Sequence, residues 1–240
     1  MLSNVIVEPT VVEPTVVEPI VVEPTVVIKN KSVTQDNKTC TTGNRGTGAG
    51  GANTNKNGLP WEDMTDLQTH CTVVAEFPTH KQVKFGGALF SLTKKNALHK
   101  YMFDNMDHTV TRAHGCKQPD ECLIDESNKL IFIIEKKFQQ HSGSVCEKIQ
   151  TSDCKIWSYG QTFPKYTIVY MYCLSNWFEE NCVAELQYLK HKGVPVFWGN
   201  DSTYKTQILD YIMTIRYKCA LECYQEKCNN PTLWTSLHKK

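Results

Sequence analysis

What the chain lacks narrows it first. No CxxC pair occurs among its 11 cysteines, and the C-terminal trio Cys219, Cys223 and Cys228 lacks the paired spacing of a zinc site, so zinc is not expected. No run approaches the roughly 20 apolar residues of a membrane span. The opening residues, MLSNVIVEPT, have neither a basic start nor an uninterrupted apolar segment, so no secretory leader and no membrane partner are expected. Neither sign of charge dominates: 26 Lys and Arg against 25 Asp and Glu leave a net charge of +1, which neither indicates nor excludes nucleic acid. Local pairs such as Lys94 with Lys95 and Lys136 with Lys137 can still build a basic face. The odd cysteine count, with Cys122, Cys173 and Cys182 inside predicted strands or helices, reads as free thiols acting as small hydrophobes. That predicts a soluble, intracellular protein in a reducing compartment.

At 240 residues and 27.4 kDa the chain supports one sizeable domain and a tail. Residues 6–27 repeat a pentapeptide, VVEPT at Val11 to Thr15, VVEPI at Val16 to Ile20 and VVEPT at Val21 to Thr25. A proline every five residues blocks helix and removes ladder donors. The next stretch, to Gly58, is rich in Asn, Thr, Gly and Lys with almost nothing to bury. Residues 1–58 are therefore expected to form a disordered tail and linker, and 59–240 the functional domain. The glycine-rich GTGAGG inside the linker has no strand before it and no GK[ST] after it, so a phosphate loop is excluded.

Within the domain, Leu89, Phe90, Leu92, Ala97, Leu98, Tyr101 and Met102 suggest an amphipathic helix over Gly87 to Met106. Pro119 to Lys137, PDECLIDESNKLIFIIEKK, reads as a β-hairpin turning at Glu126, Ser127 and Asn128. Ser144 and Glu147 form a capping box that opens a helix through about Trp157. Tyr166 to Leu174 is a buried-strand run, Asn176 with Glu179 opens a helix that Gly193 stops, and Val194 to Trp198 is a further strand. The two strands around that helix should be parallel. A last helix starts near Asp201 or Ser202 and carries Ile208, Ile212, Ile215 and Cys219. This order predicts an α/β fold, a mixed β-sheet flanked by helices.

The chemistry concentrates at the open end of the hairpin. With the turn near Ser127, Asp120 falls opposite Ile134 or Glu135. Side-chain alternation puts Ile133, Glu135 and Lys137 on one face and Phe132, Ile134 and Lys136 on the other. Asp120, Glu135 and the carbonyl of Lys136 are hard oxygen donors of the kind Mg²⁺ takes, and Lys137 is placed to act on water or phosphate. Asp125 sits at the turn, on the order of 20 Å from Glu135, and is excluded as a ligand. Glu62 or Glu76 enters the site only if the chain before the first helix folds back. His108, His114 and His141 flank the site in sequence but read as surface residues, and no histidine pattern accompanies a cysteine to mark a thiol nucleophile. Tyr159, Gln161 and Lys165 fall in a predicted loop that can touch DNA.

Pro119 with Asp120, then Glu135, Lys136 and Lys137, resemble the PD-(D/E)XK signature of the restriction-endonuclease-like nucleases. The continuation FQQHSGSVCEKIQT, Phe138 to Thr151, is similar to sequences of type II restriction endonucleases such as those of chlorella viruses. The resemblance implies a restriction-endonuclease-like core in which the aspartate and glutamate bind Mg²⁺ and the lysine assists the attacking water. Those roles fall on Asp120, Glu135 and Lys137, while Gln139 is a weaker match to a glutamine that some members use near DNA. The implied protein is a metal-dependent endodeoxyribonuclease hydrolysing double-stranded DNA at a short specific site, and a viral one would work in host cytoplasm or virion. Cutting both strands of a palindrome favours a symmetric homodimer. Two alternatives stay open: a structure-specific or repair nuclease of the same fold, and a non-catalytic DNA-binding or structural protein whose Glu135–Lys137 ion pair is a solvated hairpin end.

Overall fold

A computed structural model describes residues 60–106, 117–140 and 145–229, without the side chains of Val145, Tyr224 and residues 226–229. The tail and linker, His108, His114, His141 and the capping Ser144 lie outside the described residues.

Seven strands form one sheet in chain order: β1 (Thr72–Glu76), β2 (Lys81–Phe85), β3 (Ala88–Thr93), β4 (Glu121–Asp125), β5 (Leu130–Lys137), β6 (Thr167–Leu174) and β7 (Val196–Trp198). β1 to β5 run antiparallel, and β6 and β7 run parallel to β5, so the sheet is mixed. The change of direction follows from the connections. Tight turns join β1 to β2, β2 to β3 and β4 to β5, whereas helices cross from β5 to β6 and from β6 to β7, as parallel neighbours require.

Helices cover both faces. α1 (Ala97–Asn105) follows β3, α2 (Val145–Ile149) and α3 (Ser152–Thr162) precede β6, α4 (Trp177–Asn181) and α5 (Val183–His191) precede β7, and α6 (Tyr204–Asn229) closes the described chain. β5 shows why the middle strands read as unbroken apolar runs. Leu130, Phe132 and Ile134 pack in one core with Leu67, Phe90, Ile208 and Ile212, on the side of α6. Ile131 and Ile133 pack in the other with Leu98, Tyr159, Phe178 and Leu189, from α1, α3, α4 and α5. A strand buried on both faces has no polar alternation to show. The expected α/β architecture, a mixed sheet between helices, is therefore observed.

Several element boundaries differ from the sequence reading. The stretch from Gly87 to Met106 is not one helix: Ala88–Thr93 is β3, and only Ala97–Asn105 is helical. Gly86 and Gly87 both take positive φ, 53° and 79°, the backbone of a two-residue hairpin turn, and this pairs β3 with β2 before a helix can start. Strands β1 and β2 carry half-exposed, charge-bearing sequences with little apolar signal. The helix expected through Trp157 is two helices broken after Ile149, the second reaching Thr162, which also takes Tyr159 and Gln161 out of the expected loop and buries Tyr159. The helix expected from Asn176 breaks at Cys182, whose φ of −131° and ψ of 45° are not helical, and Asn176 makes no side-chain cap. Cys182 is buried as expected but not free: it is disulfide-bonded to Cys146. Gly193, with φ 67°, does end the helix.

Candidate active site

The hairpin register fixes the site. Glu121 pairs with Ile134 and Asp125 with Leu130, so continuing the ladder one step outward puts Asp120 across from Glu135. Beyond the last paired residue the Lys136 amide donates to Asp120 Oδ2 at 2.7 Å, and the Lys95 amide donates to the Pro119 carbonyl at 2.8 Å. The first bond holds Asp120 against the end of β5, and the second ties Pro119 to the turn that follows β3.

Three oxygens meet at one point there. Lys137 Nζ lies 3.3 Å from Asp120 Oδ2, 2.7 Å from Glu135 Oε1 and 2.9 Å from the Lys136 carbonyl. They are the same three donors that the sequence singles out for Mg²⁺, gathered around a single cation. Among the described residues no group of three or more His, Cys, Asp or Glu side chains is placed to hold a metal. The donor set at the hairpin is two carboxylates and a backbone carbonyl, which is what a hard dication accepts when waters or substrate oxygens complete its shell. At roughly 2.1 Å per ligand, Mg²⁺ needs these oxygens closer together than an ammonium does, so it and Lys137 Nζ exclude each other from the central position.

A residue that sequence reasoning missed completes the cluster. Lys155, on α3, donates to the same Glu135 Oε1 at 2.8 Å and lies 6.0 Å from the Tyr172 ring centroid. Its signal was positional: it occupies the core-facing stripe of α3 with Ser152, Ile156 and Tyr159, where a lysine needs a carboxylate partner. Burial alone would raise the Glu135 carboxyl, but Lys137 and Lys155 outweigh it and hold it below the ordinary range. Burial likewise works against the charge on Lys137, and Glu135 and Asp120 overcome it and push its affinity for a proton above normal.

The neighbouring residues form a separate cluster on the opposite face. Lys136 Nζ pairs with Glu121 Oε2 at 2.9 Å and donates to the carbonyls of Glu62 (3.2 Å) and Thr65 (3.1 Å). The Leu67 amide donates to Glu121 Oε1 at 3.1 Å. Burial pushes the fully enclosed Glu121 carboxyl up to about 7 despite the pull of Lys136. This cluster straps the segment before β1 onto the sheet.

The remaining candidates separate clearly. Asp125 is buried at the turn, where it accepts from the Ser127 and Asn128 amides at 3.0 and 3.2 Å and pairs with Arg216 at 2.8 Å, so its surroundings are structural. The chain does fold back at Glu62, but its carboxylate faces Lys95 at 3.6 Å, and Glu76 pairs with Lys81 at the outer edge of the sheet. Gln139 exchanges backbone hydrogen bonds with the Ser175 hydroxyl at 3.1 and 3.0 Å. Beside it, at the carboxyl ends of β5, β6 and β7, lies an open groove of about 510 Å³ bordered by Gln139, Gln140, Asn176, Trp177 and Asn200. No helix among the described residues is long and apolar enough to cross a membrane. No family model, no curated protein and no solved structure matches this chain.

Proposed function

We propose that the protein is a Mg²⁺-dependent endonuclease of the restriction-endonuclease-like kind, hydrolysing phosphodiester bonds of double-stranded DNA at a short specific site. The observation that supports it most is the convergence of Asp120 Oδ2, Glu135 Oε1 and the Lys136 carbonyl on one point, which the Lys137 ammonium holds here and would yield to a bound cation. The architecture around it is compatible with that fold: an antiparallel hairpin carries the acids and the lysine, and a helical crossover leads to a parallel strand.

In this reading Asp120 and Glu135, with the Lys136 carbonyl, hold the cation, which when bound supplies Lewis-acid charge to the scissile phosphate. The Lys136 amide and the pairing of β4 with β5 keep the two acids at a fixed separation. Lys137, whose proton is held tightly, acts as a charged donor rather than as a base: it orients the attacking water and stabilises negative charge growing on the phosphate oxygens. The groove of amides and Trp177 offers neutral donors, acceptors and a stacking ring beside the reacting position. Cleavage of both strands calls for a symmetric homodimer.

Incubating the full chain with long duplex DNA, with Mg²⁺ or with chelator, tests this directly. Discrete, metal-dependent fragments that disappear in Asp120→Ala and Glu135→Ala are expected. Random or junction-dependent nicking would instead favour a structure-specific or repair nuclease, and no cleavage with any divalent cation would overturn the proposal.

A further inference from the structure

Glu135 Oε1 accepts from two ammonium groups, Lys137 at 2.7 Å and Lys155 at 2.8 Å. Two acids and two lysines make the cluster neutral before any metal arrives. A dication entering between Asp120 and Glu135 therefore gains less than a bare carboxylate pair would give it, and it meets repulsion from both lysines. The two lysines reach Glu135 from different elements. Lys137 ends β5 and has the Lys136 carbonyl and Asp120 as further partners. Lys155 is 15% exposed and lies over the Tyr172 ring. The Tyr172 hydroxyl donates to the Ile149 carbonyl at 3.1 Å, which fixes the chain just before α3. Lys155 is therefore presented to Glu135 from a helix whose start is tied to the ring beneath it.

We infer that Lys155 is a built-in counter-ion for Glu135 that keeps the free protein's grip on a divalent cation weak, so that the cation is taken up together with the DNA phosphate. This rests on the nuclease reading of the same site. The phosphate supplies the negative charge that Lys155 cancels, so cation and DNA each raise the other's affinity. The nonspecific reading is a helix-to-strand ion pair with no bearing on metal.

The test uses the full chain and Mn²⁺ alone, with the free ion followed by electron paramagnetic resonance. Lys155→Met and Lys155→Gln should bind Mn²⁺ about tenfold or more tighter than wild type, because a unit charge a few ångströms from a dication is worth at least that at an effective dielectric of about 20. Lys155→Arg, which keeps the charge, should match wild type, and the gain should vanish when Asp120→Asn is added to Lys155→Met. Circular dichroism checks that each variant is folded, and the Gln variant retains a polar head if Met does not fold. With Ca²⁺ as the probe, the increase in affinity for a DNA duplex should be several-fold larger in wild type than in Lys155→Met. Equal Mn²⁺ binding by wild type and both neutral variants would overturn the inference. If wild type nevertheless cuts DNA, the nuclease reading survives without it; if nothing binds Mn²⁺ and nothing is cut, both fall.

Discussion

Replacing Lys136 with methionine removes the ammonium that serves Glu121 and two carbonyls, while the adjacent Lys137 and the acids on the other face keep their partners. Glu121 has no solvent exposure, so the change leaves a buried carboxylate with the Leu67 amide and its Asp66 neighbour but no counter-charge. Breaking one side of such a pair costs about 3–5 kcal/mol. For a domain of this size that is a fall in melting temperature of roughly 10 °C or more. The loss must also depend on pH. Glu121 already titrates at about 7 against an ordinary 4.5, so between those values the folded protein holds a proton that the unfolded chain has released, and stability falls as pH rises. Without Lys136 the folded value moves higher still, and the fall becomes steeper and extends further. Chemical denaturation at pH 5 and pH 8 should give a gap between wild type and Lys136→Met that is clearly wider at pH 8. A loss under about 1 kcal/mol at pH 8, or an equal loss at both values, would refute the assignment of Lys136 as the buried partner of Glu121.

The companion substitution Lys137→Met leaves Asp120 and Glu135 with Lys155 alone; because Lys137 is 22% exposed against 3% for Lys136, it should lower the melting temperature by less than Lys136→Met, and it should reduce DNA cleavage by roughly a hundredfold or more, the usual effect of deleting a charge-stabilising group, read as initial rates on plasmid. Glu121→Gln should flatten the decline in stability between about pH 4.5 and 7, a slope worth up to about 3 kcal/mol in wild type, with urea midpoints as the measure. Asp125→Ala removes the turn bonds and the Arg216 pair and should cost about 3 kcal/mol while leaving cleavage at low temperature unchanged. Opening the Cys146–Cys182 bond, which spans 36 residues, should cost about 4 kcal/mol on the chain-entropy account, seen as a lower melting temperature in reductant that Cys182→Ser reproduces without it.

How much of this was legible in the sequence depends on where each signal lies. β5 and β6 announce themselves because burial on both faces demands continuous apolar runs. β1 and β2 do not, because a half-exposed strand near an edge shows lysines, a threonine and a glutamine beside the few residues turned inward, Val73, Val83 and Phe85. The apolar residues from Leu89 to Met102 fit a helical period across the whole stretch, and the glycine pair at 86 and 87, together with the pairing of β3 between β2 and β4, decides otherwise for the first half. Pairing partners distant in sequence are what a local period cannot register.

The candidate site divides along the same line. In a hairpin the face and the opposite neighbour of every residue follow from counting, so the partition of Asp120, Glu135 and Lys137 from Glu121 and Lys136 could be read in advance. That partition also explains why three adjacent residues, Glu135, Lys136 and Lys137, serve two clusters: the outer two face α3, and the middle one faces the segment before β1. Lys155 enters from an element twenty residues away, and no counting rule along the hairpin reaches it. What could have found it is the imbalance that its neighbours create. Two acids with one lysine leave a buried negative charge, which protein interiors do not tolerate unpaired, so a further cation had to come from whichever helix covers that face. α3 is that helix, and Lys155 is the lysine on its inward stripe.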